Sequence, residues 1–521
     1  VNSPTTGHQA KQRRRLHSQI SIASLVVALV ATNASGCAEA MTDRPDSGLQ
    51  KNRPTEGGGA VFSGYRDAAT QFLDSDSGAI RVWYATEGEH SPDPTDDAPA
   101  DGIPDIVQAM ADTGDEVATS LAERGWRRPI ADTLSGTSTD DGGSDAFDIY
   151  LVNFQRADGL FFAEGCLPGG LPRQCTGYIA IKSDFRRTGY ASMQEAVTVL
   201  VSHEYFHAVQ AAYSDDLPGW WSEGTATWHE EFFDPTQDDY ERLADSYFAE
   251  AGRSLNGIVQ GTTDAFAYGT GVYVRFIEQT LGEGVLLEVF ERLATGEELE
   301  DALLTSVASH TPFSESFAEF AAWSLCTGSR TLDGFGFPEA ASLDELPTQA
   351  LDGSASVNWD VEVRKWAFEP AELSRPQALS LRVSELDGWQ SPPTLVVVDP
   401  LTPGEWSLLR AGDTLRIEAS DAPLWIALVN SDSTDRTAGR VEIRVPPAEV
   451  ATPDETPDAD CPAGDNCGSE GSDDDEDRTP GADDGSGCSA GTRPETDSPW
   501  LWLILASAII RRKTRGRMTV C

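Results

Sequence analysis

The stretch "MQEAVTVLVSHEYFHAVQAAY", from Met193 to Tyr213, constrains this chain more than any other. It holds neither Gly nor Pro and its apolar residues recur at helical spacing, so the pattern predicts one long helix. Val197, Leu200, Val201 and Phe206 are the residues such a helix turns toward a core. The same helix carries His203, Glu204 and His207, although the whole chain has only seven histidines. Hydrogen-bonded core histidines are the plain alternative, but packing gives little reason for two of them at this spacing.

Residues four apart on a helix stand one above the other at roughly 6 Å. His203 and His207 therefore present two imidazoles to one point, as a zinc ion requires. Glu204 lies beside that point, where its carboxylate can take a proton from a water that zinc has acidified to a pKa of about 7. A catalytic zinc needs a third protein ligand. Beyond a turn at Pro218 and Gly219, "WWSEGTATWHEE" opens a second helical stretch, and Glu223 is the expected ligand. His229 competes for the role from another face of that helix.

"HEYFH" followed by "WWSEGTATWHEE" resembles the gluzincin metallopeptidases, in particular the M1 aminopeptidases with their W-x-x-E-G-x-A second helix. Trp220, Glu223, Gly224, Ala226 and Glu230 fall on that pattern. The segment "AYGTGVYVRFIEQTLGEG" (Ala267 to Gly284) resembles the one carrying the family's transition-state tyrosine. The resemblance implies that Tyr268 stabilises the charge growing on the substrate oxygen, with Tyr273 as the fallback and ordinary core packing as the alternative. It also implies that "GYIAIKS" (Gly177 to Ser183) is the edge strand bordering a substrate cleft. Three departures stand out. The connector from His207 to Glu223 is shorter than in the M1 enzymes, and no G-x-M-E-N-like motif for a substrate amino terminus precedes it. Thr227 stands where other gluzincins place an acidic partner for a zinc histidine, a role Glu230 could take.

"AIRVWYA" (Ala79 to Ala85) and "DAFDIYLVNF" (Asp145 to Phe154) read as strands, and helical patterns follow Tyr213. Strands first and helices after predict an α+β fold. Between the strands, Asp97, Asp101, Gly102 and Asp105 resemble a calcium loop; an acid-rich helix N-terminus is the alternative. From about Val357 to Val445 short apolar runs alternate with Gly, Pro, Asp and Ser, as in a β-sandwich. Cys166 and Cys175 bracket a turn-rich loop that a disulfide could close, as could Cys461 and Cys467 elsewhere, while Cys326 has no evident mate.

The ends read differently. A basic stretch, the apolar run Ile20 to Ala31 and small residues up to Cys37 predict an export signal, with either lipidation at Cys37 or plain cleavage. "GSGCSAG" around Cys488, a short apolar segment and "RRKTRGR" resemble the myxobacterial C-terminal sorting tag (MYXO-CTERM); a tail anchor is the alternative, although the apolar run is short for one. The net charge of −47 is densest in the tract Asp454 to Gly487, which has too few apolar residues to fold. Such an acidic chain argues against a nucleic-acid partner.

The expected organisation is a signal peptide over 1–36, a linker over 37–60 and a zincin-like metalloprotease domain over 61–345. An all-β sandwich-like domain over 350–446, a disordered acidic stalk over 447–487 and the sorting tag over 488–517 complete it. The expected function is a secreted or surface-displayed zinc metallopeptidase that meets protein or peptide substrates, the export and sorting machinery, and the membrane only through its ends or a lipid at Cys37. Two alternatives are an adhesin or ligand-binding protein on an inactive protease scaffold, and a zinc hydrolase acting on a non-peptide bond.

Overall fold

The helix expected at Met193 begins where local chemistry says it should. Ser192 accepts a hydrogen bond from the Glu195 N–H at 3.0 Å, and the Glu195 carboxylate reaches back to the Ala191 N–H at 2.7 Å, so a Ser and a Glu three residues on satisfy the first turn. This is the computed structural model of the chain, which describes residues 53–447 apart from 57–61, 98, 135–141, 155–156, 170–171, 187, 238, 258–263, 387–392 and 433. The expected signal peptide, Cys37, the acidic stalk beyond 447, Cys461, Cys467 and the sorting tag lie outside the described residues. The chain there is α+β, and no described helix is long and apolar enough to cross a membrane.

A five-stranded sheet comes first, built from β1 (Thr70–Asp74), β2 (Ile80–Ala85), β3 (Phe147–Val152), β4 (Gly159–Cys166) and β5 (Cys175–Lys182) in the order β1-β2-β3-β5-β4. Helix α1 (Asp105–Glu123) joins β2 to β3, and these pair in parallel, as do β3 and β5. β4 returns antiparallel along β5, with Cys166 opposite Cys175 and a disulfide joining them. The edge strand on this side of the sheet is therefore β4, not "GYIAIKS". That sequence lies in β5, which is bonded on both sides, and its nearly complete burial follows from that inner place.

Helix α2 (Met193–Ala211) crosses β4 and β5 and packs against α1 and α3 (Gly219–Phe233). Every residue from Ala196 to Ala211 is buried, so α2 is the central helix rather than an amphipathic one at the surface. Further helices follow: α4 (Asp239–Phe248), α5 (Ala265–Gly269), α6 (Gly271–Leu281), α7 (Glu283–Leu293), α8 (Leu299–Ala308) and α9 (Phe313–Leu325). The chain breaks between α5 and α6 at Thr270. There the Thr270 hydroxyl bonds the carbonyls of Trp220 at 2.5 Å and Ala267 at 2.6 Å. The break lets two glycines meet: a Cβ on Gly271 would stand 3.0 Å from the Gly224 carbonyl, and one on Gly224 would strike Thr270. Bare backbone at both positions brings the α5–α6 junction against α3.

The C-terminal strands form two sheets. One runs β11-β10-β13-β8-β6, from Trp406–Leu409, Thr394–Val398, Ser420–Asn430, Ala367–Arg375 and Gln349–Leu351 respectively. The other runs β12-β9-β14-β7, from Thr414–Ile417, Leu379–Glu385, Arg436–Arg444 and Val357–Arg364. Alternation along β10 and β13 sorts the side chains by face. Leu395, Val397, Leu424, Ile426 and Leu428 fill the core between the sheets, while Val396, Val398, Trp425, Ala427 and Val429 join the core of the helices. Helix α9 lies on β10 and β13. In the turn that takes the chain from β7 in one sheet to β8 in the other, Trp366 adopts φ 47°, and its buried ring packs beside Trp220 and Phe313 with centroids 6.3 and 5.0 Å away. The sandwich is thus packed into the helical layer over an apolar face.

Candidate metal centre

Helices α2 and α3 converge on one point. His203 Nε2 and His207 Nε2 stand 3.2 Å apart, and Glu223 Oε2 lies 3.3 Å from the first and 3.6 Å from the second. All three side chains are buried. Four ligands at about 2.0–2.1 Å around a tetrahedral ion stand roughly 3.3–3.4 Å from one another, so the three atoms fit three corners of such a site.

The outer faces of the rings decide what the inner faces can be. His203 Nδ1 contacts Glu230 Oε1 at 2.5 Å, and His207 Nδ1 contacts Gln210 Oε1 at 2.9 Å. Both partners are acceptors, so each Nδ1 carries the proton and donates it. Each neutral ring then turns an Nε2 lone pair inward, toward the other and toward a carboxylate oxygen with no hydrogen-bond donor of its own. Three electron-pair donors at these distances repel unless a cation lies among them, and that requirement is the fit between this centre and a metal ion. Burial works against a charge on either imidazole, but Glu223 outweighs it and raises the pKa of both, with Glu230 adding to the effect on His203. Against its own burial, Glu223 is held at about 2 by His207 and His203. The surroundings call for positive charge at this point, whether proton or metal.

Glu204, also buried, lies against the first residue of β4: a Cβ built on Gly159 would come 2.7 Å from its Cγ and from its Oε1. Burial raises the Glu204 pKa, with Glu223 and Glu230 adding to the rise against the two histidines. The Tyr268 ring stacks over His203 with centroids 5.8 Å apart, carried there by the α5–α6 junction that Gly224 admits. Tyr273, the fallback, is instead wholly buried among Phe276, Phe317 and Phe320. His229 faces away from the centre. Its Nδ1 bonds the Ser202 carbonyl at 3.0 Å, its ring stacks on Phe206, and burial lowers its pKa to about 3.

Glu230 takes the place beside His203 that the Thr227 departure left open. Sequence reasoning missed Gln210 and Gly159. A polar amide three residues beyond His207 on a buried helix was the available signal for the first; nothing local marks the second. In the Asp-rich loop, Asp96 accepts from the N–H groups of Asp101 and Gly102 at 3.0 and 2.7 Å, and Asp105 accepts from Asp97 N–H at 3.1 Å. Asp97, Asp101 and Asp105 do not form a trio with carboxylate oxygens all within 4.8 Å of one another, as the His203, His207 and Glu223 ligand atoms do. Cys326 is buried and unpaired, and burial pushes its thiol up to about 12.

No family model and no curated protein matches the chain. Solved structures that align with parts of it include the pre-peptidase C-terminal domain of collagenase from Bacillus anthracis, at 9% identity over 19% of this chain and 100% of that one, TM-score 0.17. A de novo designed double-stranded β-helix aligns at 15% identity over 17% of this chain and 99% of its own, TM-score 0.13. PliG, a periplasmic inhibitor of g-type lysozyme from Salmonella Typhimurium, aligns at 8% identity over 19% and 96%, TM-score 0.14. Likenesses at these scores carry no argument about this chain.

Proposed function

We propose that this protein is a zinc metallopeptidase of gluzincin type, with a zincin-like arrangement of sheet and helices, that cleaves extracellular protein or peptide substrates after export. The observation that carries the reading is the inward-facing trio of His203 Nε2, His207 Nε2 and Glu223 Oε2, spaced 3.2–3.6 Å apart. These three residues would hold the ion, while Glu230 and Gln210 fix the tautomers that leave their lone pairs free. Zinc, when bound, would acidify a water and polarise the scissile carbonyl.

The remaining roles belong to the chain. Glu204 accepts a proton on its carboxylate and returns it to the leaving amine, and its burial raises its pKa above the usual carboxylate value, which favours holding that proton between the two transfers. Tyr268 aims its phenol at the oxygen that gains charge, an interaction stronger in the transition state than in the substrate. The edge strand β4, which begins against Glu204, offers unpaired backbone groups to an extended substrate. Endopeptidase action fits better than aminopeptidase action, because the chain lacks the G-x-M-E-N-like motif.

The rival within this geometry is a proton. A charged His203 between Glu223 and Glu230 would satisfy both carboxylates without metal, leaving a scaffold rather than an enzyme. Metal analysis and hydrolysis of a mixed protein digest, on wild type and Glu204→Gln, separate the two. One zinc in both proteins with cleavage only by wild type supports the peptidase. No zinc in folded wild type refutes it, and zinc without cleavage moves the reading to another bond or to binding.

A further inference from the structure

We infer that Gln210 is a positioning residue that dictates which nitrogen of His207 can bind metal and that locks α2 to α3 beside Glu223. The inference rests on the zinc reading above and extends it to a residue outside the HExxH and EG motifs.

The argument is one of hydrogen-bond capacity. A glutamine amide has two donor hydrogens and an oxygen that accepts twice. Gln210 is buried, and all four places are used. Its Nε2 donates to the Ser222 carbonyl and to Thr225 Oγ1, both at 2.8 Å. Its Oε1 receives Ser222 Oγ at 2.9 Å and His207 Nδ1 at 2.9 Å. The Ser222 carbonyl can only accept, so the amide cannot turn over without setting oxygen against oxygen. Thr225 in turn gives its hydroxyl hydrogen to the Trp221 carbonyl at 2.7 Å, so its oxygen is free to accept from Gln210. With the amide fixed, Oε1 faces His207, and the Ser222 hydroxyl, 3.3 Å from the same Nδ1, gives its single hydrogen to Oε1 over the shorter contact, so Nδ1 carries the proton. Only Nε2 is then left as a ligand.

The same amide ties the second zinc histidine to the residue next to the third ligand, since Ser222 immediately precedes Glu223. The two histidines are also held differently: His203 by a carboxylate, His207 by a neutral amide.

The test uses the full chain and Gln210→Met, which keeps the side chain's length but removes every hydrogen bond. Ring ¹⁵N shifts of His207 in metal-free protein at alkaline pH report the tautomer, and competition with a chelator reports zinc affinity. The expected results are an Nδ1–H tautomer in wild type, its loss in the variant, and zinc binding about 10- to 100-fold weaker. A folded Gln210→Met protein with the wild-type tautomer and affinity would reduce Gln210 to packing. If that variant does not fold, Gln210→Leu removes the same hydrogen bonds and is read the same way, and an Nε2–H tautomer of His207 in wild type overturns the inference by itself. Should wild type bind no zinc, the zinc reading fails by itself. The tautomer then decides the inference alone.

Discussion

Adding one methyl group to Gly159 should disable the centre while leaving it loaded. A Cβ there would stand 2.7 Å from Glu204 Cγ and Oε1 and 3.1 Å from Cδ. Ordinary contact begins near 3.4 Å. The carboxylate must therefore retreat by roughly 0.7 Å, and a misplacement of about 1 Å in a reacting group can cost on the order of 100-fold in rate. Gly159 is not among the positive-φ glycines, so the backbone accepts alanine and the lower entropy of the unfolded chain offsets part of the crowding. None of the three proposed ligands lies among the nearest atoms, which all belong to Glu204. Gly159→Ala should keep one zinc and a melting temperature close to wild type, with kcat down by about 30- to 100-fold and KM little changed. Full turnover at full zinc occupancy would show that the Glu204 position seen here is not the one that matters, and would remove the main geometric support for its role as base.

Four further outcomes follow from named contacts. Tyr268→Phe should lower kcat by roughly 100- to 1,000-fold if the phenol serves the oxyanion, and unchanged turnover would leave it a stacking partner of His203. Trp366→Ala should cost about 3–5 kcal/mol, and because that ring packs beside Trp220 of α3, helices and sandwich should melt in one transition by circular dichroism; two transitions would refute the shared core. Near Arg53, burial lifts Glu164 to about 7 and Asp148 to about 6, against the pull of the guanidinium. Both values exceed those of the unfolded chain, so the stability these carboxyls contribute is complete at about pH 4 and is lost as pH rises through about 6 to 7; the urea midpoint should fall over that range, less so in Glu164→Gln, and an identical slope in the variant would exclude Glu164 as a source. A calcium loop predicts that Asp101→Ala lowers the melting temperature only with calcium present, whereas equal shifts would leave Asp101 its hydrogen bond to the Ile103 N–H at 3.0 Å.

What could be read from sequence depended on how far apart the cooperating residues lie. His203 and His207 were legible because one helix fixes their geometry, and α2 was legible because nothing between Met193 and Ala211 interrupts a helix. Glu223 required only that a second helix fold back across a short turn. Beyond that range the signal disappears. β4 begins at Gly159 and carries Gly165 near its end, so it reads as a poor strand, yet the first glycine is there because Glu204 occupies the space a side chain would need. Gln210 looks like any polar residue on α2 until Ser222 and Thr225 arrive from α3 to use its amide. "TLVVV" fits a sandwich strand, but its unbroken apolar run records a further fact: β10 is covered on both faces, by the opposite sheet and by α9. A half-exposed strand would have alternated. The lack of alternation at Val396 and Val398, repeated in the apolar run Leu424 to Val429 of β13, was therefore the clue in the sequence that the sandwich packs against the helices, and it is legible only once a strand with a single buried face is no longer assumed.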